Sequence, residues 1–163
     1  MSSRASRVTS LLLLLLSLPL LAGAQELTGR VVRVIDGDTL VLLDASDIQH
    51  KVRFAGIDCP ERKQPWSVRA KEALSEYSFD RRVTVDWNKR DRYKRIVGKV
   101  IRGDRDVNLS LVRDGLCWWY RKYADEQSAV DRMLYEDAER QARQQPRGLW
   151  SDPNPVPPWE WRK

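Results

Sequence analysis

The chain has 163 residues, of which 32% are charged and 42% hydrophobic, a size and balance that suit one ordinary globular domain. Its 29 basic residues against 23 acidic ones give a formal charge of +6, which permits a polyanionic partner without requiring one. Beyond Leu21 no run is long and apolar enough to cross a bilayer as a helix.

The leader comes first. Residues 1–10 carry Arg4 and Arg7 and no acid, Leu11–Leu21 is almost all leucine, and Ala22-Gly23-Ala24 offers the small residues a signal peptidase reads. The apolar run is short of the roughly 20 residues a spanning helix needs. A signal peptide over 1–24 is therefore expected, with export to the periplasm or the medium. Cleavage after Ala24 leaves 139 residues with 27 basic and 23 acidic groups, a charge of +4. Cys59 and Cys117 both lie in the exported part, where an even count favours a disulfide over two buried thiols.

In the mature chain, Leu27–Ile35 reads as a strand, its alternation broken by Arg30 and Arg33. Thr39–Leu43 reads as a second strand, Asp44–Asp47 as a turn, and Gln49–Ile57 as a third strand with Val52, Phe54 and Gly56 on one face. A helix follows Pro65-Trp66, with Ser67 as the expected N-cap and Ala70, Ala73, Leu74 and Tyr77 at helical spacing. Arg82–Trp87 and Ile96–Ile101 complete five strands, Gly98 marking a bulge or a close backbone approach. Val107–Asp114 is expected to be a short helix, with Asn108 near its start and Gly115 just past its end. Cys117–Tyr120 reads as a short extended piece. Asp125–Gln144 reads as a longer amphipathic helix with Val130, Met133, Leu134, Ala138 and Gln141 on its stripe. Pro146-Arg147-Gly148 ends it, and Leu149 and Trp150 pack back. Residues 151–163, rich in Pro and Asn, are expected to be an extended, mobile tail. Five strands with one helix between the third and fourth match an α+β fold built on the OB-fold, a partly open Greek-key barrel. The domain is expected to run over 25–150, and the molecule to be a monomer.

Ile35-Asp36-Gly37-Asp38-Thr39 sits between two apolar runs and reads first as a hairpin turn, with Gly37 expected at positive φ. Asp36 suits the turn, which leaves Asp38 spare. Asp58-Cys59-Pro60-Glu61 follows another apolar run, so carboxylates stand at the ends of two strands, as a hard cation such as Ca²⁺ requires. Arg53 lies on the strand leading to Asp58, and Asp91-Arg92-Tyr93-Lys94-Arg95 is a basic, aromatic run entering the fifth strand. Carboxylates and guanidiniums together suit phosphodiester hydrolysis. His50 is a lone histidine beside a turn, and Trp118, Trp119 and Tyr120 read as packing rather than as base-stacking platforms.

These motifs, in this order, resemble the staphylococcal-nuclease-like (thermonuclease) family of calcium-dependent nucleases. The resemblance runs from about Leu27 to Trp150 and includes Val52-Arg53-Phe54-Ala55-Gly56-Ile57-Asp58, Leu111-Val112-Arg113-Asp114-Gly115-Leu116 and Gly148-Leu149-Trp150. It implies that Asp38, Asp58 and the backbone carbonyl of Cys59 hold Ca²⁺. It implies further that Glu61 is the general base or orients the attacking water, and that Arg53 and Arg95 bind the phosphate. Arg92 and Tyr93 match residues that contact the nucleotide. Tyr123 is placed at a nucleotide-side tyrosine, the register after Gly115 being open. The implied reaction cleaves DNA or RNA and leaves 3′-phosphate ends. Three departures stand out: Cys59 in place of Thr, Lys94 in place of Gly, and a short Arg62–Trp66 segment where the family carries a long mobile loop. A binding-only OB module and a structural calcium module compete with this reading; neither needs Asp38, Asp58 and Glu61 together with Arg53 and Arg95.

Overall fold

The computed structural model describes residues 25–163, so the expected leader lies outside the described residues. β1 (Gln25–Asp36), β2 (Thr39–Leu43) and β3 (Gln49–Phe54) form an antiparallel meander. The broken alternation of β1 has a physical cause. The β1–β2 register slips between Val31 and Arg33 and again between Val34 and Asp36, which buries Val31 and Val34 while Arg30 and Arg33 stay in solvent. β3 ends at Phe54, three residues before the expected end. Ala55-Gly56 turns the chain, Gly56 at φ 71°, into the two-residue β4 (Ile57–Asp58).

Helix α1 (Ser67–Ser78) buries Ala70 and Leu74 as their spacing predicts. Its N-cap is Trp66 in the left-handed region rather than Ser67, and no side chain caps it. β5 (Arg82–Arg90) and β6 (Ile96–Arg102) follow as a hairpin. A Cβ on Gly98 would come within 2.5 Å of Val85 Cγ1 and 2.7 Å of the Asp86 carbonyl, so the close approach read from the sequence is real. β6 also pairs in parallel with β3, Val52 with Ile96, Arg53 with Val97 and Phe54 with Gly98. That pairing closes the sheet order β3-β2-β1-β5-β6 into the expected five-stranded barrel.

β7 (Arg105–Asp106) leads into α2 (Val107–Arg113), whose N-cap is Asp106, its carboxylate accepting from the Leu109 amide. Asn108 is not at a cap; it is fully buried, donates to the Ala55 and Gly98 carbonyls and accepts from the Val100 amide. It thereby pins the turn after β3 to β6. Gly115, at φ 68°, follows the end of α2 as expected. β8 (Trp118–Trp119) pairs antiparallel with β4. A 3₁₀ segment, Arg121–Glu126, precedes α3 (Ala129–Gln144), so this helix begins four residues later than the sequence pattern indicates.

The expected stripe on α3 is displaced. Val130, Met133 and Leu134 are exposed, and Tyr135, Ala138, Glu139 and Ala142 face the core. Small residues on this face let α3 lie close to α2, and the carboxylate of Glu139 is satisfied by the Trp119 amide and the Arg121 guanidinium. The C-terminal segment is not an extended tail. After the 3₁₀ turn Gly148–Ser151, residues 158–161 form α4 (Pro158–Trp161), which docks on a second cluster of Trp118, Ala142, Leu149 and Trp150 through Trp159.

Candidate active site

The β1–β2 turn and the β3–β4 turn end at the same place. Asp38 stands in the turn immediately before β2 at 7% exposure, and Asp58 ends β4 at 1% exposure. Asp36 Oδ1 accepts from the Asp38 amide, the turn role read for it. Gly37 is needed for a different reason from the one expected. It is not at positive φ; a Cβ there would meet Ala70 Cβ at 2.8 Å and Cys59 Cβ at 2.9 Å. The turn is thus pressed against α1 and the Cys59 strand end, which fixes Asp38 beside Asp58.

One guanidinium holds the two acids together. Arg53 Nη2 lies 2.9 Å from Asp58 Oδ1 and 3.2 Å from Asp38 Oδ2, while Nη1 donates to the carbonyls of Phe54 and Ile57. Asp38 Oδ2 also accepts from the Cys59 amide at 2.8 Å, and Thr39 Oγ1 donates to Oδ1. Burial pushes the Asp38 carboxyl up to about 7; Arg53 opposes this, and the charges of Asp36 and Asp58 add to it. Cys59 and Cys117 are disulfide-bonded and buried, tying the residue after Asp58 to the one before β8. The pairing read from the even count is present.

Glu61 is partly exposed, its amide held by Gln64 Oε1. Arg162, just past α4, reaches both acids. Its Nη2 is 2.6 Å and its Nη1 3.3 Å from the two oxygens of Asp58, and Nη1 also pairs with Glu61. These contacts hold the Arg162 guanidinium well above its ordinary pKa. The local sequence gives no pattern for this residue; the only hint is the pair of tryptophans in a Pro-rich end, which anchor the segment that carries it.

Arg95 stands apart from the acids. Its Nε is 2.7 Å from Asp91 Oδ2, and its guanidinium lies over the Tyr93 ring. Asp91 also accepts from the amides of Tyr93 and Arg95. Lys94 sits at φ 63°, so the position where the family carries Gly is indeed left-handed. Arg92 covers the other part of the Tyr93 ring at the exposed tip. Arg95 ends the turn immediately before β6, and Arg53 on β3 pairs with Val97, two positions further along. Tyr123 lies on the 3₁₀ segment at 40% exposure, edge-on to Tyr120. The Tyr120 amide donates to the Gly56 carbonyl and its ring stacks on Trp159. A groove of about 570 Å³ runs past Tyr120, Lys122, Arg143 and Trp159 to Arg162.

Two hard carboxylates meet here, and among the described residues no cluster of three or more His, Cys, Asp or Glu is arranged to hold a metal ion. The pair nevertheless suits a cation. Asp38 and Asp58 are oxygen donors fixed within one site, and Asp58 already draws a positive group, Arg162, from the solvent side. Such a site supplies part of a coordination shell and leaves the rest to water or substrate.

Residues 51–152 match the family described as Staphylococcal nuclease homologue. An uncharacterized endonuclease of Escherichia coli is 39% identical over 153 residues, 93% of this chain and 94% of the relative. A micrococcal nuclease of Shigella flexneri is 37% identical over 166 residues, 96% of this chain and 90% of the relative. Protein ParB of Escherichia coli is 41% identical over 148 residues, 85% and 80% of the two chains. With the barrel, the paired acids and these relatives in agreement, the chain belongs to the staphylococcal nuclease family and is a nuclease.

Proposed function

We propose that the protein is a calcium-dependent nuclease, exported after cleavage near Ala24 and acting as a monomer on DNA or RNA to leave 3′-phosphate ends. The observation that carries this reading is the pairing of Asp38 and Asp58 through Arg53, with Glu61 three residues beyond Asp58. Asp38, Asp58 and the carbonyl of Cys59 would hold Ca²⁺. The bound cation would neutralise the phosphate and polarise the bond to be broken.

The chain supplies the rest. Glu61 is the acid of the set not required to hold the cation, and it takes the proton from an attacking water. Arg53 faces the same pocket with a fork of donors and stabilises charge developing on the phosphoryl oxygens. Arg95 completes that role once its contact with Asp91 is exchanged for phosphate. Arg92, Tyr93 and Tyr123 lie at exposed rims, where a nucleotide's phosphate and ring would rest. The buried disulfide fits an oxidising compartment.

Digestion of single- and double-stranded DNA and of RNA, with Ca²⁺ and then with chelator, tests the reading. Cleavage that requires Ca²⁺ and yields 3′-phosphate ends is the expected result. A chain that retains nucleic acid at saturating Ca²⁺ without cutting it is a binding module instead.

A further inference from the structure

We propose that the C-terminal helix is a latch whose Arg162 guanidinium occupies Asp58 and Glu61 in the resting enzyme and must be displaced by the divalent cation. The inference rests on the cation site proposed above and adds a competitor for it.

The contact is built at several points. Gln64, 5% exposed, donates from Nε2 to the Val156 carbonyl at 2.6 Å while its Oε1 holds the Glu61 amide. One side chain thus ties the segment to the loop that carries Glu61. Trp159 stacks flat on Tyr120, centroids 5.1 Å apart with 4° between the planes, and meets Trp118 edge-on at 5.5 Å. Pro155, Pro157 and Pro158 limit the freedom of the linking backbone. The turn of helix between these anchors and Arg162 aims the guanidinium at Asp58 and Glu61.

Its position decides the consequence. Asp58 Oδ1 already receives Arg53 at 2.9 Å, and Arg162 takes Oδ2 at 2.6 Å. Both oxygens of the buried acid therefore carry a cationic donor. A hard cation needs one of them, so Ca²⁺ and Arg162 compete for the same lone pairs. One carboxylate oxygen of Glu61 is engaged by the same guanidinium, which withholds that oxygen from an attacking water while the latch is closed. The Arg162 side chain is 42% exposed, so it can leave without opening the core. A polyanionic strand would favour that exit, because Arg162 and Lys163 line the groove where phosphates would arrive.

The test is calorimetric titration of Ca²⁺ into the full mature protein without nucleic acid, for wild type, Arg162→Gln and Trp159→Ala. If about one molecule in ten is open at rest, apparent affinity is cut about tenfold, and both substitutions should restore it. Trp159→Ala frees the helix without touching the charge, so a similar gain in both variants separates the latch from a local effect of Arg162. Unchanged or weaker Ca²⁺ binding by folded Arg162→Gln overturns the latch and leaves the calcium reading standing. Failure of all three proteins to bind Ca²⁺ overturns the latch, whereas only cleavage that persists without Ca²⁺ overturns the calcium reading.

Discussion

Arg53 can hold two buried carboxylates because its guanidinium is planar and its donors are fixed. It serves Asp38, Asp58 and two backbone carbonyls at once, a set that the point charge of lysine could not reproduce. The acid outside the grip of Arg53 is Glu61, whose only cationic partner among the described residues is Arg162. Glu61→Gln keeps its shape and its hydrogen bonds but removes its basicity. The expected result is a fall in kcat of about 10²–10⁴, the usual range for a lost general base. Ca²⁺ affinity should not fall, because the substitution removes a partner of Arg162 and none of the proposed cation ligands. Turnover on a short oligonucleotide at saturating Ca²⁺, with a parallel Ca²⁺ titration, checks both statements. Near-normal kcat would remove Glu61 from the mechanism.

Elements meet at turns, and the β2–β3 turn shows what a single acid does there. Asp44 accepts from the Ser46 and Ile48 amides and from His50 Nε2, so one carboxylate closes the turn and clamps the strand behind it. The His50 hydrogen bond, followed by the Ile48 amide, holds Asp44 below its ordinary value of 3.8. A carboxyl depressed on folding stabilises above the unfolded value and loses that contribution as pH falls through the folded one. Asp44→Asn should therefore lower the urea midpoint at pH 7, and the gap to wild type should close below about pH 4, where the unfolded carboxyl protonates. A gap that persists unchanged at pH 2.5 would assign the loss to geometry rather than to charge. His50, read as a lone histidine without metal or acid-base work, thus finds its place as a partner in this turn. The sequence carried such local devices well: period-two burial on β3, the helical spacing of α1, and Gly115 past α2 are all readable within a few residues. α3 was misread because burial there is decided by its neighbour. Counting apolar residues selects Val130, Met133 and Leu134 along with Ala138, whereas packing keeps only Ala138 of these, adds Tyr135 and Ala142, and tolerates Glu139 because Arg121 and the Trp119 amide come from elsewhere. Among the candidate site residues, Asp38, Asp58 and Arg53 are legible because they stand at strand ends. Arg162 is not, since its approach depends on a docking more than 100 residues away along the chain.

The described residues form two apolar clusters, the barrel interior and the tryptophan cluster under α4, and the acid pair lies where they join. The short β4–β8 ladder makes that joint: Ile57 and Asp58 pair with Trp119 and Trp118. A two-residue ladder is weak by itself. The Cys59–Cys117 disulfide stands immediately beside it and closes a separation of 58 residues. In the chain-entropy account a loop of that length contributes about 4 kcal/mol by restricting the unfolded chain. Its placement gives it a second effect. The Cys59 amide donates to Asp38, so the crosslink also limits how far the Asp58 end of β4 can drift from Asp38. Replacing both cysteines with alanine avoids burying new hydroxyls and should cost about 2–5 kcal/mol in urea denaturation. If the crosslink positions the acid pair as well as stabilising the fold, Ca²⁺ affinity should fall under conditions where the variant is still fully folded. A variant that loses stability but binds Ca²⁺ as wild type does would show that Arg53 and the Asn108 network suffice to hold Asp38 and Asp58 together. A loss under about 1 kcal/mol would mean that the barrel and the tryptophan cluster stay joined without the covalent link.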